Sequence, residues 1–158
     1  APSPTDDNAI ADATAAAIDR LAASNHRGDV ADILLEFSSS YFASSAIVRL
    51  RGGTAIIQGF RGRATADKLE FPLPGTAFAA VAARAQPMVL DAVTDSATVA
   101  LAPAGPVTMH PIMIGNRLVA IWLCAGPRAA AAVAAIAGLA HAAGQAYERA
   151  IRDAKGQA

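Results

Sequence analysis

The run from Val107 to Gly126, VTMHPIMIGNRLVAIWLCAG, limits the fold more than any other stretch of the chain. Two apolar arms flank Gly115-Asn116, a dipeptide suited to a two-residue hairpin turn, so the spacing predicts a β-hairpin. In the first arm Thr108, His110, Ile112 and Ile114 share one face, with Val107, Met109, Pro111 and Met113 on the other. In the second, Leu118, Ala120, Trp122 and Cys124 alternate with Val119, Ile121 and Leu123. Strands apolar on both faces must be covered on both. The Ala-rich segments near the two chain ends are the natural covers. The expected fold class is therefore α/β, of the α+β type: a central antiparallel sheet flanked by N- and C-terminal helices.

The rest of the chain supplies the elements this requires. Asp6 or Asp7 is positioned to cap a first helix over about 8–24, with Ile10, Thr14, Ala17, Ile18 and Leu21 recurring every three or four residues. A second helix begins near Asp29, buries Val30, Ile33, Leu34 and Phe37, and is expected to yield at Ser38-Ser39-Ser40. Strands Ala46 to Arg51 and Thr54 to Phe60 follow, joined by Gly52-Gly53. Thr76 introduces a short helix, Ala77 to Arg84, and Met88 to Leu90 reads as a brief strand. From Ala92 to Pro106 there is no clear period, which suggests a long loop or a short, poor helix. Pro127 suits the first turn of a final helix, 127–155, whose stripe is Val133, Ile136, Leu139, Ala140, Ala143, Tyr147 and Ile151. Residues 1–7, with Pro2 and Pro4, read as a linker, and 8–155 as one domain with a core over about 29–126.

Composition removes several classes of function. With 158 residues the chain can bury roughly 70% of its unfolded surface without staples. Hydrophobic residues make up 54% and charged ones 16%, leaving apolar surface to spare for a partner. A formal net charge of zero provides no global field for nucleic acid or an anionic membrane, and neither is expected as a partner. The single cysteine, Cys124, precludes an internal disulfide, a CxxC pair and a Cys-based zinc site, and suits a cytoplasmic location. No run reaches the eighteen or so uninterrupted apolar residues of a membrane span, since Ala129 to Ala140 is followed by His141, Gln145, Glu148 and Arg149.

The order of elements then carries a resemblance. The segments DVADILLEFSSSYFASSAIVRLRGG, FPLPGTAFAAVAARAQPMVLDAVTD and MHPIMIGNRLVAIWLC resemble the helix-and-hairpin start, the short helix with its following strand, and the Pro-bearing strand, Gly turn and last strand of a GAF domain. The resemblance implies a ligand pocket on one face of the sheet, roofed by the short helix and loop, and dimerisation through the flanking helices. The Asn-Lys-Phe-Asp-Glu constellation of cyclic-nucleotide-binding members is absent, and Cys124 is not followed by the His common at bilin attachment sites. Members that reduce free methionine sulfoxide need a second thiol to resolve the sulfenic acid formed on the first. On these grounds the chain is expected to be a sensory or regulatory module of a cytoplasmic signalling protein, a homodimer without a cofactor, and not an enzyme. The alternatives are a roadblock- or longin-like regulator of a small GTPase, and a single-cysteine redox enzyme.

Phe60, Phe78, His110, Trp122 and Cys124 are the pocket candidates. Each has a structural reading beside the functional one: the aromatics as core, Cys124 as a small buried hydrophobe, and His110 as a hydrogen-bonded core residue or a ligand donor. Arg49, Arg51, Arg61 and Arg63 cluster about the first hairpin and suit an anion or an acidic partner, or else a solvated strand edge. His141 has no second His at helical spacing, so no metal site is expected.

Overall fold

Asp6 accepts the Asn8 amide N–H at 2.9 Å and so caps the first helix, α1 (Asp7–Ala23). The computed structural model describes residues 6–103 and 105–156. Pro2 and Pro4 of the expected linker lie outside the described residues, as does residue 104 of the loop. After α1 come α2 (Arg27–Tyr41), β1 (Phe42–Arg51), β2 (Thr54–Gly62), β3 (Glu70–Pro72), α3 (Ala77–Arg84), β4 (Met88–Leu90), α4 (Ser96–Leu101), β5 (Val107–Ile114), β6 (Arg117–Pro127) and α5 (Ala130–Gly156). The strands form one six-stranded antiparallel sheet in the order β3-β2-β1-β6-β5-β4. The long hairpin thus meets the first hairpin in the middle of the sheet, as its two-sided apolarity requires.

The end of α2 and the segment at Pro127 differ from the sequence expectation, β3 is an added strand, and the aperiodic stretch takes the short-helix alternative. Helix α2 does not yield at the serine run. Ser38 donates its hydroxyl to the Leu34 carbonyl at 2.9 Å, so the side chain is satisfied inside the helix and β1 begins directly at Phe42. The aperiodic stretch holds α4, started by Asp95, whose carboxylate accepts from the Thr98 N–H and hydroxyl. Strand β3 pairs only Glu70, Phe71 and Pro72 with β2 at the sheet edge, where Pro72 need not donate to a further ladder. Pro127 closes β6 opposite Phe42 instead of opening the last helix, and Arg128 N–H donates to the Tyr41 carbonyl, holding that segment extended.

The sheet separates two cores. On one face lie α1, α2 and α5 over Ile47, Ile112, Ala120, Trp122 and Cys124. On the other, α3, α4 and the loops cover Ala46, Val48, Val107, Met109, Ile121 and Leu123. The apolar stripes on α1 and α5 are used within the chain: Ile10, Ala17 and Leu21 of α1 share a core with Ile136, Leu139, Ala143 and Tyr147 of α5. Helix α5 is long and apolar enough to cross a membrane by length and composition, yet it is the core helix of this face. At Gly144 it comes so close to β5 that an added Cβ would collide with the Met113 carbonyl oxygen. Arg149, on the same helix, donates from Nη2 to the Leu21 carbonyl at 2.6 Å and so satisfies the end of α1.

Candidate functional site

The face covered by α3 and α4 carries the depression nearest to the position expected for a pocket. Its interior is filled by Phe78, Val81, Leu101, Met109 and Ile121, all fully buried. What stays open is a cleft of about 300 Å³ at the β2–β3 edge, with Ile57, Phe71 and Leu101 at its apolar floor and Asp67, Lys68 and Glu70 on its rim. One wall is the loop between β2 and β3. Its Thr65 donates from both N–H and hydroxyl to the Ala100 carbonyl, at 2.8 and 3.3 Å, and the Leu69 carbonyl accepts from Ile57 N–H at 2.7 Å. The opposite wall is α4, with Ser96 and Ala97 facing the cleft. Asp95 holds this wall to α3: one carboxylate oxygen accepts from Ala77 N–H and the other from the Thr98 N–H, each at 3.0 Å. The combination of apolar floor, mixed-charge rim and two walls tied by few bonds suits a small molecule that is partly apolar.

The structure divides the sequence-derived pocket candidates between the two faces. Phe78 is the buried residue of the first turn of α3, tilted against Phe71 with ring centroids 5.7 Å apart, and Phe60 packs at the margin of the same core. His110, Trp122 and Cys124 instead face the three-helix side, where His110 is directly opposite Trp122 and Thr108 opposite Cys124 in the β5–β6 register. They do not join Phe60 and Phe78 in one pocket, and the physical reason is the two-residue period of the strand. Trp122 stands edge-on to Phe37 at 6.5 Å, and its indole N–H has no partner among the described residues. Burial pushes the Cys124 thiol well above its ordinary pKa, which disfavours the thiolate that redox chemistry needs. Burial also lowers the pKa of His110, partly opposed by the hydrogen bond of Nδ1 with the Pro111 carbonyl at 3.0 Å. Among the described residues no group of three His, Cys, Asp or Glu is placed to hold a metal ion.

The arginine cluster also separates. Arg61 donates to the Phe60 carbonyl and lies 3.8 Å from Asp32, while Arg51 and Arg63 are exposed beside the strand ends. Arg49 alone lines a depression, on the three-helix face, with Arg27, Arg117 and Lys155. Sequence reasoning missed Asp67, Lys68, Glu70 and Ser96. The only signal was the polar Asp-Lys-Leu-Glu stretch before Phe71, whose place in the fold becomes visible once β3 pairs with β2.

The helix pair ahead of the first hairpin, the sheet order and the covered faces together define the GAF fold, and the chain has it over nearly its whole length. It is similar to the GAF domain of a phosphoenolpyruvate-protein phosphotransferase from Coxiella burnetii, with 13% identity and a TM-score of 0.75 over 98% of this chain and 100% of that one. The GAF-B domain of DevS from Mycobacterium smegmatis matches at 16% identity and a TM-score of 0.66, covering 82% of this chain and 98% of that one. No protein-family model matches the sequence, and no curated protein matches it either. At such identities the likeness establishes the fold alone.

One expectation is corrected here. The chain was expected not to be an enzyme, but free methionine-R-sulfoxide reductase from Neisseria meningitidis, solved with its substrate, has the same fold. It matches at 11% identity and a TM-score of 0.71 over 91% of each chain. A GAF fold is therefore compatible with catalysis, and the single cysteine does not set this chain apart from it.

Proposed function

We propose that this GAF-fold domain is a sensory or regulatory module of a cytoplasmic signalling protein, binding a small, partly apolar molecule in the cleft between α4 and the β2–β3 loop. The observation that carries this reading is the cleft itself, about 300 Å³ of open space beside a core that is otherwise filled. Occupation would press on α4 and on the Asp95 bonds that join it to α3, and so on the cover of the sheet.

Two copies pair in this proposal through the outer faces of α1 and α5, since their inner stripes are already used. Ala11, Ala15 and Ile18 remain exposed on α1, and Ala130, Ala134 and Ala137 on α5. Native mass spectrometry of freshly purified protein, beside its denatured mass, tests both parts. A bound mass that is lost on denaturation, and lost in Ala97→Trp, supports the cleft. A bare protein that no compound of a small-molecule set stabilises thermally overturns it. A strict monomer at high concentration by light scattering overturns the pairing.

A further inference from the structure

On the three-helix face, at the end of the sheet where the β1–β2 and β5–β6 turns lie, a depression of about 380 Å³ is lined by Arg27, Arg49, Arg117 and Lys155. They come from four separate elements: the first residue of α2, the turn end of β1, the first residue of β6 and the last turn of α5. No carboxylate lines the depression, though Asp153 lies in an adjoining hollow that shares Arg27. The ion pairs among the described residues are Arg20–Glu36, Arg61–Asp32 and Arg152–Glu148, so none of the four cations has an acidic partner there. Like charges gathered in a partly enclosed site repel one another, and an anion seated among them relieves that repulsion.

The uncharged lining fits the same occupant. Tyr147 is buried at the back, its hydroxyl donating to Gln58 Oε1 at 3.3 Å. Burial pushes its pKa up to about 12 in spite of the nearby Arg27 and Arg49 guanidinium charges, which act to lower it. The phenol thus stays neutral and adds no negative charge to the site. Leu118 and Ile151 give one apolar wall. Guanidinium forks match the paired oxygens of a phosphate or carboxylate group, and four converging cations balance the charge of two phosphates better than that of one carboxylate. The volume is that of a small-molecule site, and a neutral chain with one local basic hollow does not offer the extended basic track that nucleic acid needs.

We propose that this hollow binds a compact organic polyanion carrying at least two phosphate groups, at a site separate from the α4 cleft and on the opposite face of the sheet. Bound there, the anion links Lys155 in the last turn of α5 to Arg49 and Arg117 on the sheet, and so holds the end of α5 against the strand tips.

Titration calorimetry at low salt tests this with inorganic pyrophosphate as the probe. One-to-one binding is expected, weakened about tenfold or more by Arg49→Met and by Arg117→Ser, because each removes charge-assisted hydrogen bonds. Arg117 is exposed beside a turn, so its replacement leaves the fold intact even if Arg49→Met does not. Arg51→Ser, on the same strand but outside the hollow, and Ala97→Trp, in the other cleft, are expected to bind as the parent does. The second of these separates this site from the one proposed under α4. No heat at millimolar pyrophosphate overturns the proposal. Equal weakening by Arg51→Ser reduces it to diffuse surface charge and also overturns it. Binding of a polyglutamate peptide without binding of pyrophosphate assigns the surface to an acidic protein partner instead.

Discussion

Gly138 and Gly144 lie in the same helix, α5, and replacing each with alanine should move stability in opposite directions. At Gly138 an added Cβ meets nothing within 4 Å, and the residue is exposed. Alanine there gains helix propensity, about 1 kcal/mol, and little else changes. Gly144 is buried, and its added Cβ would overlap the Met113 carbonyl oxygen, with the Met113 carbonyl carbon at 3.3 Å and amide nitrogen at 3.7 Å. Because the obstacle is strand backbone, at the irregularity where β5 nears its turn, no side chain can swing aside, and α5 or β5 must move. Overpacking of this kind costs about 3 kcal/mol at the upper end of its usual range. Set against the same propensity gain of about 1 kcal/mol, the net loss is about 2 kcal/mol. For a chain of this size 1 kcal/mol corresponds to about 2–4 °C in Tm. Gly138→Ala should therefore melt about 2–4 °C above the parent and Gly144→Ala about 4–8 °C below it. Urea unfolding at constant slope would give the same ordering in free energy. If Gly144→Ala proves as stable as Gly138→Ala, the close approach of α5 to β5 is wrong, and with it the packing of the three-helix face.

Three further outcomes follow from the same structure. Cys124 is buried with a raised pKa, so a thiol reagent at mildly alkaline pH should label native protein negligibly and denatured protein fully; Cys124→Ser, which buries a hydroxyl in an apolar core, should cost about 1–3 kcal/mol. Asp95→Ala removes acceptors from Ala77 N–H, Thr98 N–H and the Thr98 hydroxyl, and should cost about 1–2 kcal/mol, with faster amide exchange concentrated in α3 and α4. His110 has a lowered pKa in the folded chain, so below about 6.5 the unfolded chain binds more protons and stability falls as pH falls, until the native ring itself protonates. His110→Gln should flatten that part of the stability–pH curve, and an unchanged slope would show that the imidazole is not the group responsible.

The sheet and its helices were legible because their periods are strong. The Gly115-Asn116 hairpin, the Gly52-Gly53 hairpin and the α5 stripe appear where the spacing puts them. The ends of elements were less legible, since tertiary contacts decide them. Ser38 stays helical because its hydroxyl finds the Leu34 carbonyl, and Pro127 stays extended because β1 lies beside it. At Gly59 the sheet is filled from a distant element, which no local pattern announces: Leu35 Cδ1 of α2 sits 2.7 Å from where a Gly59 Cβ would be.

Taken alone, the sequence determined the fold class, the two-faced character of the central strands and the lack of a global charge field, because these depend on local periodicity and composition. The tertiary structure decided which candidates share a face. Strand parity already set His110 and Trp122 apart from Met109 and Ile121, but parity cannot say which helices cover which side. It also decided that Arg49 meets Arg27, Arg117 and Lys155, residues far apart in the chain that only the packing of α2 and α5 against the strand tips brings together. Charge convergence of that kind leaves no mark in local sequence, since each cation alone looks like an ordinary solvated side chain.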